Sequence, residues 1–283
     1  MNNSLIWIIE NLVKEPSYTY MANEVEKQGY RLHKINGNFA KADLDFIQKT
    51  DPVICSGSIE ICKLIKKQLY FNYPVTYSDF DKYLCSKYYP HFEKYLFNDN
   101  YVMVSLASVN RRLWWFYGQF GKEASMFIRP DSGDKTFKAD VLDIQDWDEF
   151  YDSVKHLKND LVLVSTPKNI VGEWRFVVTR HQEILAQSSY RFQGLTTRVP
   201  SAPTKATDLV KEILKVGYYP DSVFCVDVCQ DSDGNFWLME LTSFSSAGLY
   251  ACKMENVVKR VSEIALEDHR VFAAMNSLKG HQA

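Results

Sequence analysis

The stretch FCVDVCQDSDGNFWLMELTSFSSAGLY sets two acids at the ends of two apolar runs: Asp227 closes the first and Glu240 the second. A turn with Asx and Gly character, Asp231 to Gly234, lies between them. Two strands joined there as a hairpin bring both carboxylates to one end of a sheet. Carboxylates side by side repel unless a cation sits between them. The pair therefore reads as a Mg²⁺ seat, and Mg²⁺ between acids points to phosphate chemistry.

Other polar residues stand where strands meet loops. Arg129 follows Met126-Phe127-Ile128 and precedes Pro130, and Lys135 ends the loop Asp131-Ser132-Gly133-Asp134. Glu173 and Arg175 alternate, so on a strand they share a face, as do Glu240 and Thr242. A nucleoside triphosphate calls for these types. Arg and Lys neutralise phosphate oxygens, backbone N–H groups of a small Gly-containing loop close over them, and an acid accepts ribose hydroxyls. Each residue taken singly has an ordinary alternative. Arg129 could be a surface ion-pair residue, the DSGDK loop a plain hairpin turn, and Glu173 with Arg175 a solvated face. Asp227 between Val226 and Val228 is harder to set aside, because an unpaired buried carboxylate is costly.

The elements that must position these groups follow from periodicity. Residues 4–12 predict a strand, 18–29 a helix, 30–35 a strand, and PVICSGS a buried strand before the helix IEICKLIKKQL. This alternation predicts a small open α/β unit over residues 1–90. The turn Ser56-Gly57-Ser58 before a helix is either an N-cap or an anion seat, with the cap favoured. Residues 70–100 are aromatic and irregular and read as a connection. Within 101–123, VNRRLWWFYGQFG predicts a partly buried helix with Arg111 and Arg112 in solvent; with Trp114 and Trp115 the alternative is a basic-aromatic patch. From 126 onward the pattern is α+β: SMFIRP and TFKADVL as paired strands, a helix near 146–157, the strand LVLVS, a hairpin turning near His181-Gln182, a helix over 206–216, the acid-bearing hairpin, and a closing helix over 251–268. That part, 91–283, divides at about residue 165.

Composition excludes several classes. Net charge is −2 over 283 residues, so no basic excess advertises nucleic acid. No apolar run is long enough to span a membrane, and the N-terminal stretch carries Glu10 inside its apolar run, unlike a signal peptide. The six cysteines form no CxxC and sit mostly in apolar runs, as reduced core thiols of a cytoplasmic protein would.

Over residues 91–265 the motifs FIRPDSGDKTF, LVLVSTPKNIVGEWRFVV and VDVCQDSDGNFWLMELTSFSSAGLY resemble the ATP-grasp fold. Within it they are most similar to a phage and bacterial clade distinguished by an Arg/Lys exchange at the phosphate site. The resemblance implies two α+β subdomains gripping ATP behind a pre-grasp α/β domain. It implies that Arg129 and Lys135 contact phosphate, that the hinge strand Val162 to Ser165 lies along adenine with Val164 and Ser165 at its end, and that Glu173 binds ribose. Arg175 would stabilise the transferring phosphoryl group. Asp227, Glu240 and Thr242 would hold one or two Mg²⁺, and Arg191 with the loop Ser245 to Tyr250 would face the acceptor. Two positions depart from the pattern. Thr242 replaces the usual Asn, and Cys225 stands where many members have Arg, leaving Arg175 or Arg191 to supply that charge. The implied activity is an ATP-dependent carboxylate–amine ligase acting on small-molecule or peptide substrates. A nucleotide-binding module without ligase activity and a phosphotransferase on the same fold are the alternatives.

Overall fold

A computed structural model of the chain describes residues 4–11, 15–36 and 41–280. Ile6–Glu10 (β1) is buried along its whole length, as a central parallel strand covered on both faces must be. It lies between β2 (Arg31–Ile35) and β3 (Val53–Ser56), both parallel to it. Helices α1 (Pro16–Lys27) and α2 (Ile59–Gln68) complete this unit. Of the expected first strand, Leu12 lies outside the described residues. Ser58 caps α2, its Oγ accepting from the Ile61 N–H. The remaining anion-binding capacity of that helix start is taken by the chain itself: Glu10 Oε2 accepts from the Ser58 N–H at 2.5 Å. The Glu10 side chain lies so close over Gly57 that an added Cβ would stand 2.8 Å from its own Cβ.

Residues 70–100 are more ordered than their sequence suggests. They include α3 (Cys85–Phe92), with Pro90 inside it, and Tyr88, Tyr89 and Phe92 are fully buried against the later sheets. Pro90 breaks the helical sequence signal, and burial on one side restores the helix.

A second sheet has the order β4-β7-β5-β6, antiparallel throughout, from Tyr101–Ser105 (β4), Ser125–Pro130 (β5), Asp140–Asp143 (β6) and Leu161–Ser165 (β7). Helices α4 (Leu106–Arg111), α5 (Leu113–Phe120) and α6 (Trp147–Val154) cover one face. On α5, Phe116 and Tyr117 are buried while Trp114 is 78% exposed. The third sheet has the order β10-β9-β8-β11-β12: Leu195–Val199 (β10), Ile184–Phe192 (β9), Ile170–Thr179 (β8), Val223–Asp231 (β11) and Phe236–Ser243 (β12). Helices α7 (Thr204–Lys215) and α8 (Met254–Gly280) pack on its opposite faces. β4 and β10 go beyond the sequence reading. β4 is five residues long and runs directly into α4, and β10 is a Thr-rich edge strand exposed along most of its length.

The mixture of helices and sheets is α+β. All six cysteines are buried and unpaired. Among the described residues no helix is long and apolar enough to cross a membrane.

Candidate ATP site between two sheets

Strand alternation sorts the third sheet. Trp174, Phe176 and Val178 of β8 and Phe224, Val226 and Val228 of β11 face the core built with α3 and α7. Glu173, Arg175 and Val177, with Cys225 and Asp227, face the other way. At one end of that face Val177 and Cys225 are sealed under α8. At the other end the face is polar and opens into a cavity of about 410 Å³. The second sheet contributes Phe127 and Arg129 from β5 to its opposite wall.

Asp227 and Glu240 are direct Cα partners across β11 and β12. The register shifts just beyond them, so that Val228 pairs with Leu238 and Met239 is the extra residue. Such a bulge re-aims side chains. Here Leu238 and Leu241 both enter the core, while Met239 and Glu240 both line the cavity.

Both acids are held by cations. Asp227, fully buried, is also the Cα partner of Arg175 on β8, and the side chains meet twice, Nε to Oδ1 at 2.8 Å and Nη2 to Oδ2 at 2.6 Å. Glu240 accepts from Arg129 Nη2 at 3.2 Å and from Lys135 Nζ at 3.0 Å, and Thr242 Oγ1 donates to Glu240 Oε1 at 3.2 Å. Burial opposes the Glu240 charge, but Lys135, Arg129 and Arg175 outweigh it and hold the carboxyl well below its usual range. Burial pushes the Asp227 carboxyl up against the pull of Arg175. Burial also opposes the Arg175 charge, and Asp227 outweighs it, keeping the guanidinium protonated. Three cations thus face two carboxylates, leaving room for further negative charge. Arg129 Nε is buried without a hydrogen-bond partner.

The remaining expected residues divide. Glu173 lines the cavity next to Arg191, its register partner, at 3.5 Å, and burial raises its carboxyl above the usual range. Arg191 also lines the cavity and is more than half exposed. Val164 does not line it: its side chain belongs to the core on the far face of the second sheet. Ser165 is fully buried and donates to Asn98 Oδ1 at 3.3 Å. Thr242 touches the site only through Glu240. Cys225 is buried on the face it shares with Asp227, and the charge at the acid comes from Arg175 across the strand.

The loop Asp131 to Lys135 is docked rather than free. Asp131 Oδ1 accepts from the Ser86 N–H at 2.8 Å, Lys63 pairs with Asp134, and a Cβ on Gly133 would lie 2.4 Å from the Phe80 carbonyl.

Residues not singled out from sequence complete the wall. Phe97, Asn98, Lys168, Ile170 and Met239 line the cavity, and Tyr190 stacks on Tyr250 at 4.8 Å between centroids. Arg175 Cζ lies 5.2 Å from the Tyr250 ring and 5.8 Å from the Tyr190 ring. The one signal for Tyr190 is its place directly before Arg191 on β9.

The fold is that of an ATP-grasp protein. The chain belongs to that family: the model of the ATP-grasp domain, R-to-K clade family 2, matches residues 110–260. Solved structures share the fold at low identity. The D-alanine–D-alanine ligase from Bacillus anthracis complexed with ATP aligns at TM-score 0.63 and 12% identity, over 94% of this chain and 98% of that one. A RimK domain ATP-grasp protein from Sphaerobacter thermophilus aligns at 0.59 and 12%, over 90% and 98%. The ATP-grasp ligase PsnB complexed with a minimal precursor aligns at 0.57 and 9%, over 92% and 98%. No curated protein matches the chain by sequence.

Proposed function

We propose that the chain is an ATP-dependent carboxylate–amine ligase. The observation that carries the reading is the opposed pair Asp227 and Glu240, held by Arg175, Arg129 and Lys135 at the floor of a cavity between two sheets. ATP phosphates would take Arg129 and Lys135, releasing Glu240 for a metal. Glu173 would accept the ribose hydroxyls. The apolar wall of Phe127, Ile170 and Met239 suits adenine, with the end of β7 at Val164 and Ser165 alongside.

The donor set fits Mg²⁺. Two carboxylates and the Thr242 hydroxyl are hard oxygen ligands, and phosphate oxygens and water would complete the shell. Among the described residues no third acid, His or Cys joins them. When bound, Mg²⁺ would draw negative charge from the β- and γ-phosphates.

In the reaction a carboxylate oxygen attacks the γ-phosphorus, the bond to the β–γ bridging oxygen breaks, and ADP leaves. An amine nitrogen then attacks the acyl carbon, phosphate leaves with the electron pair of the acyl–oxygen bond, and the amine gives up a proton. Arg175 would stabilise charge on the transferring phosphoryl group, and Arg191 would orient the acceptor. No protein nucleophile is required; positioning and charge neutralisation do the catalysis. The neighbours' names include a D-alanine–D-alanine ligase and a ligase complexed with a precursor peptide, which supports amino-acid or peptide substrates.

A screen of amino-acid and dipeptide pairs, read by ADP release and product mass, tests the reading. It predicts steady ADP release only when both carboxylate and amine are present, and a product one water lighter than their sum. A stable phosphorylated product instead would assign a phosphotransferase, and nucleotide binding with no turnover would assign a binding module.

A further inference from the structure

The α/β unit reaches Arg175 through one peptide group. Arg175 Nη1 donates to the Gly248 carbonyl at 2.7 Å. The N–H of that same peptide belongs to Leu249, and it donates to Ser17 Oγ at 2.9 Å. Ser17, on the first turn of α1, is 1% exposed. Its hydroxyl donates to Glu15 Oε1 at 2.7 Å, which turns the oxygen lone pairs toward Leu249. Position 248 is glycine for a matching reason: a Cβ there would stand 2.9 Å from the Glu15 carboxyl carbon and from Oε2.

The rest of the loop is gripped from the same side. The Ser245 carbonyl accepts from the Gly57 N–H at 2.8 Å, and Ser245 Oγ accepts from the Tyr77 N–H at 2.8 Å. Beyond Leu249, Tyr250 sits at φ 51° and lays its ring by Arg175. A non-glycine residue in the left-handed region is held there by its surroundings. The guanidinium is therefore held by Asp227, by a carbonyl and by the Tyr250 and Tyr190 rings, and the carbonyl and the Tyr250 ring belong to a loop that Ser17 anchors.

We propose that Ser17, oriented by Glu15, is a positioning residue for Arg175. It acts through the Gly248–Leu249 peptide and so makes phosphoryl transfer depend on the placement of the α/β unit. This rests on the role given to Arg175 above, though not on the identity of the acceptor. Its test therefore uses a phosphoryl-transfer mimic that needs no acceptor: Mg·ADP with and without aluminium fluoride, titrated into the full chain by calorimetry. Wild type should bind Mg·ADP more tightly with aluminium fluoride. Ser17→Ala should lose about tenfold of that gain while its affinity for Mg·ADP alone stays within about twofold. Ser17→Thr, which keeps the hydroxyl, should retain the gain, and hydrogen exchange at the Leu249 amide should speed up only in Ser17→Ala. Glu15→Ala, which leaves the hydroxyl without its orienting acceptor, should give a smaller loss of the same kind and serves if Ser17→Ala does not fold. Full gain in Ser17→Ala or Glu15→Ala would overturn the positioning role. Unchanged exchange at Leu249 would overturn the link itself. No gain in wild type would remove the role of Arg175 first, and this proposal with it.

Discussion

Arg175 and Asp227 stand opposite each other on adjacent antiparallel strands and close a two-point ion pair that is almost wholly buried. Neither charge could be buried alone. Their pairing lets the floor of the cavity carry charged groups on a face that is otherwise core, and it leaves each as a group that a ligand can recruit by offering a better partner.

Removing one partner should be far worse than removing both. Asp227→Ala leaves a buried guanidinium uncompensated and should destabilise the chain by about 3–5 kcal/mol, measured by urea unfolding. The double change Arg175→Met with Asp227→Leu should recover most of that stability and none of the activity. Equal losses in the single and double variants would show that the pair is not coupled.

Arg175→Ala should act on rate. If its guanidinium turns to the transferring phosphoryl group, kcat for ADP release falls by about a hundredfold or more, with a smaller change in KM for ATP. A pure KM effect would move Arg175 from transition-state to ground-state binding.

Glu240→Ala should abolish Mg·ATP turnover while the far-UV circular dichroism stays native. Its side-chain hydrogen bonds go to Arg129, Lys135 and Thr242 at the cavity, and it belongs to none of the core clusters. Full activity in this variant would remove the metal assignment.

Asp221 gives a pH dependence of stability. Burial raises its carboxyl to about 7, although Tyr83 Oη and the Asp79 N–H both donate to its Oδ2. The native state therefore holds a proton that the unfolded chain releases at the ordinary aspartate value of about 4. Its contribution to stability is full below about pH 4 and is lost as pH rises to about 7. Asp221→Asn keeps an acceptor for both donors and cannot ionise. The difference in unfolding free energy between wild type and variant should shift in favour of the variant between about pH 4 and 8; a pH-independent difference would contradict the raised value.

Much of this was legible in the residues. The alternation around Asp227 and Glu240 predicts the hairpin, but their direct opposition depends on the one-residue register shift at Met239. Glu173 and Arg175 share the cavity face that their alternation predicts, and Arg129 and Lys135, read where a strand meets a loop, also line the cavity. The bulge at Met239 was not legible, because it is set by Leu238 and Leu241 both finding the core. Nor was the Arg175–Asp227 pair, which needs the register of β8 on β11, a long-range fact. Asn98 and Tyr190 come from segments with no motif, and Lys168 lies inside a motif at a position to which no role was read. Val164 shows the limit of reading a role onto a strand, since pleating turns its side chain away from the cavity.

The proposed ligase chemistry stands or falls on a carboxylate being phosphorylated before an amine attacks it. That order leaves an isotopic trace. A carboxylate substrate labelled with heavy oxygen, once the pair screen has supplied one, is turned over and the released phosphate is weighed by mass spectrometry. One labelled oxygen should move from carboxylate to phosphate at each turnover. Unlabelled phosphate, formed alongside amide product, would rule out the acyl phosphate.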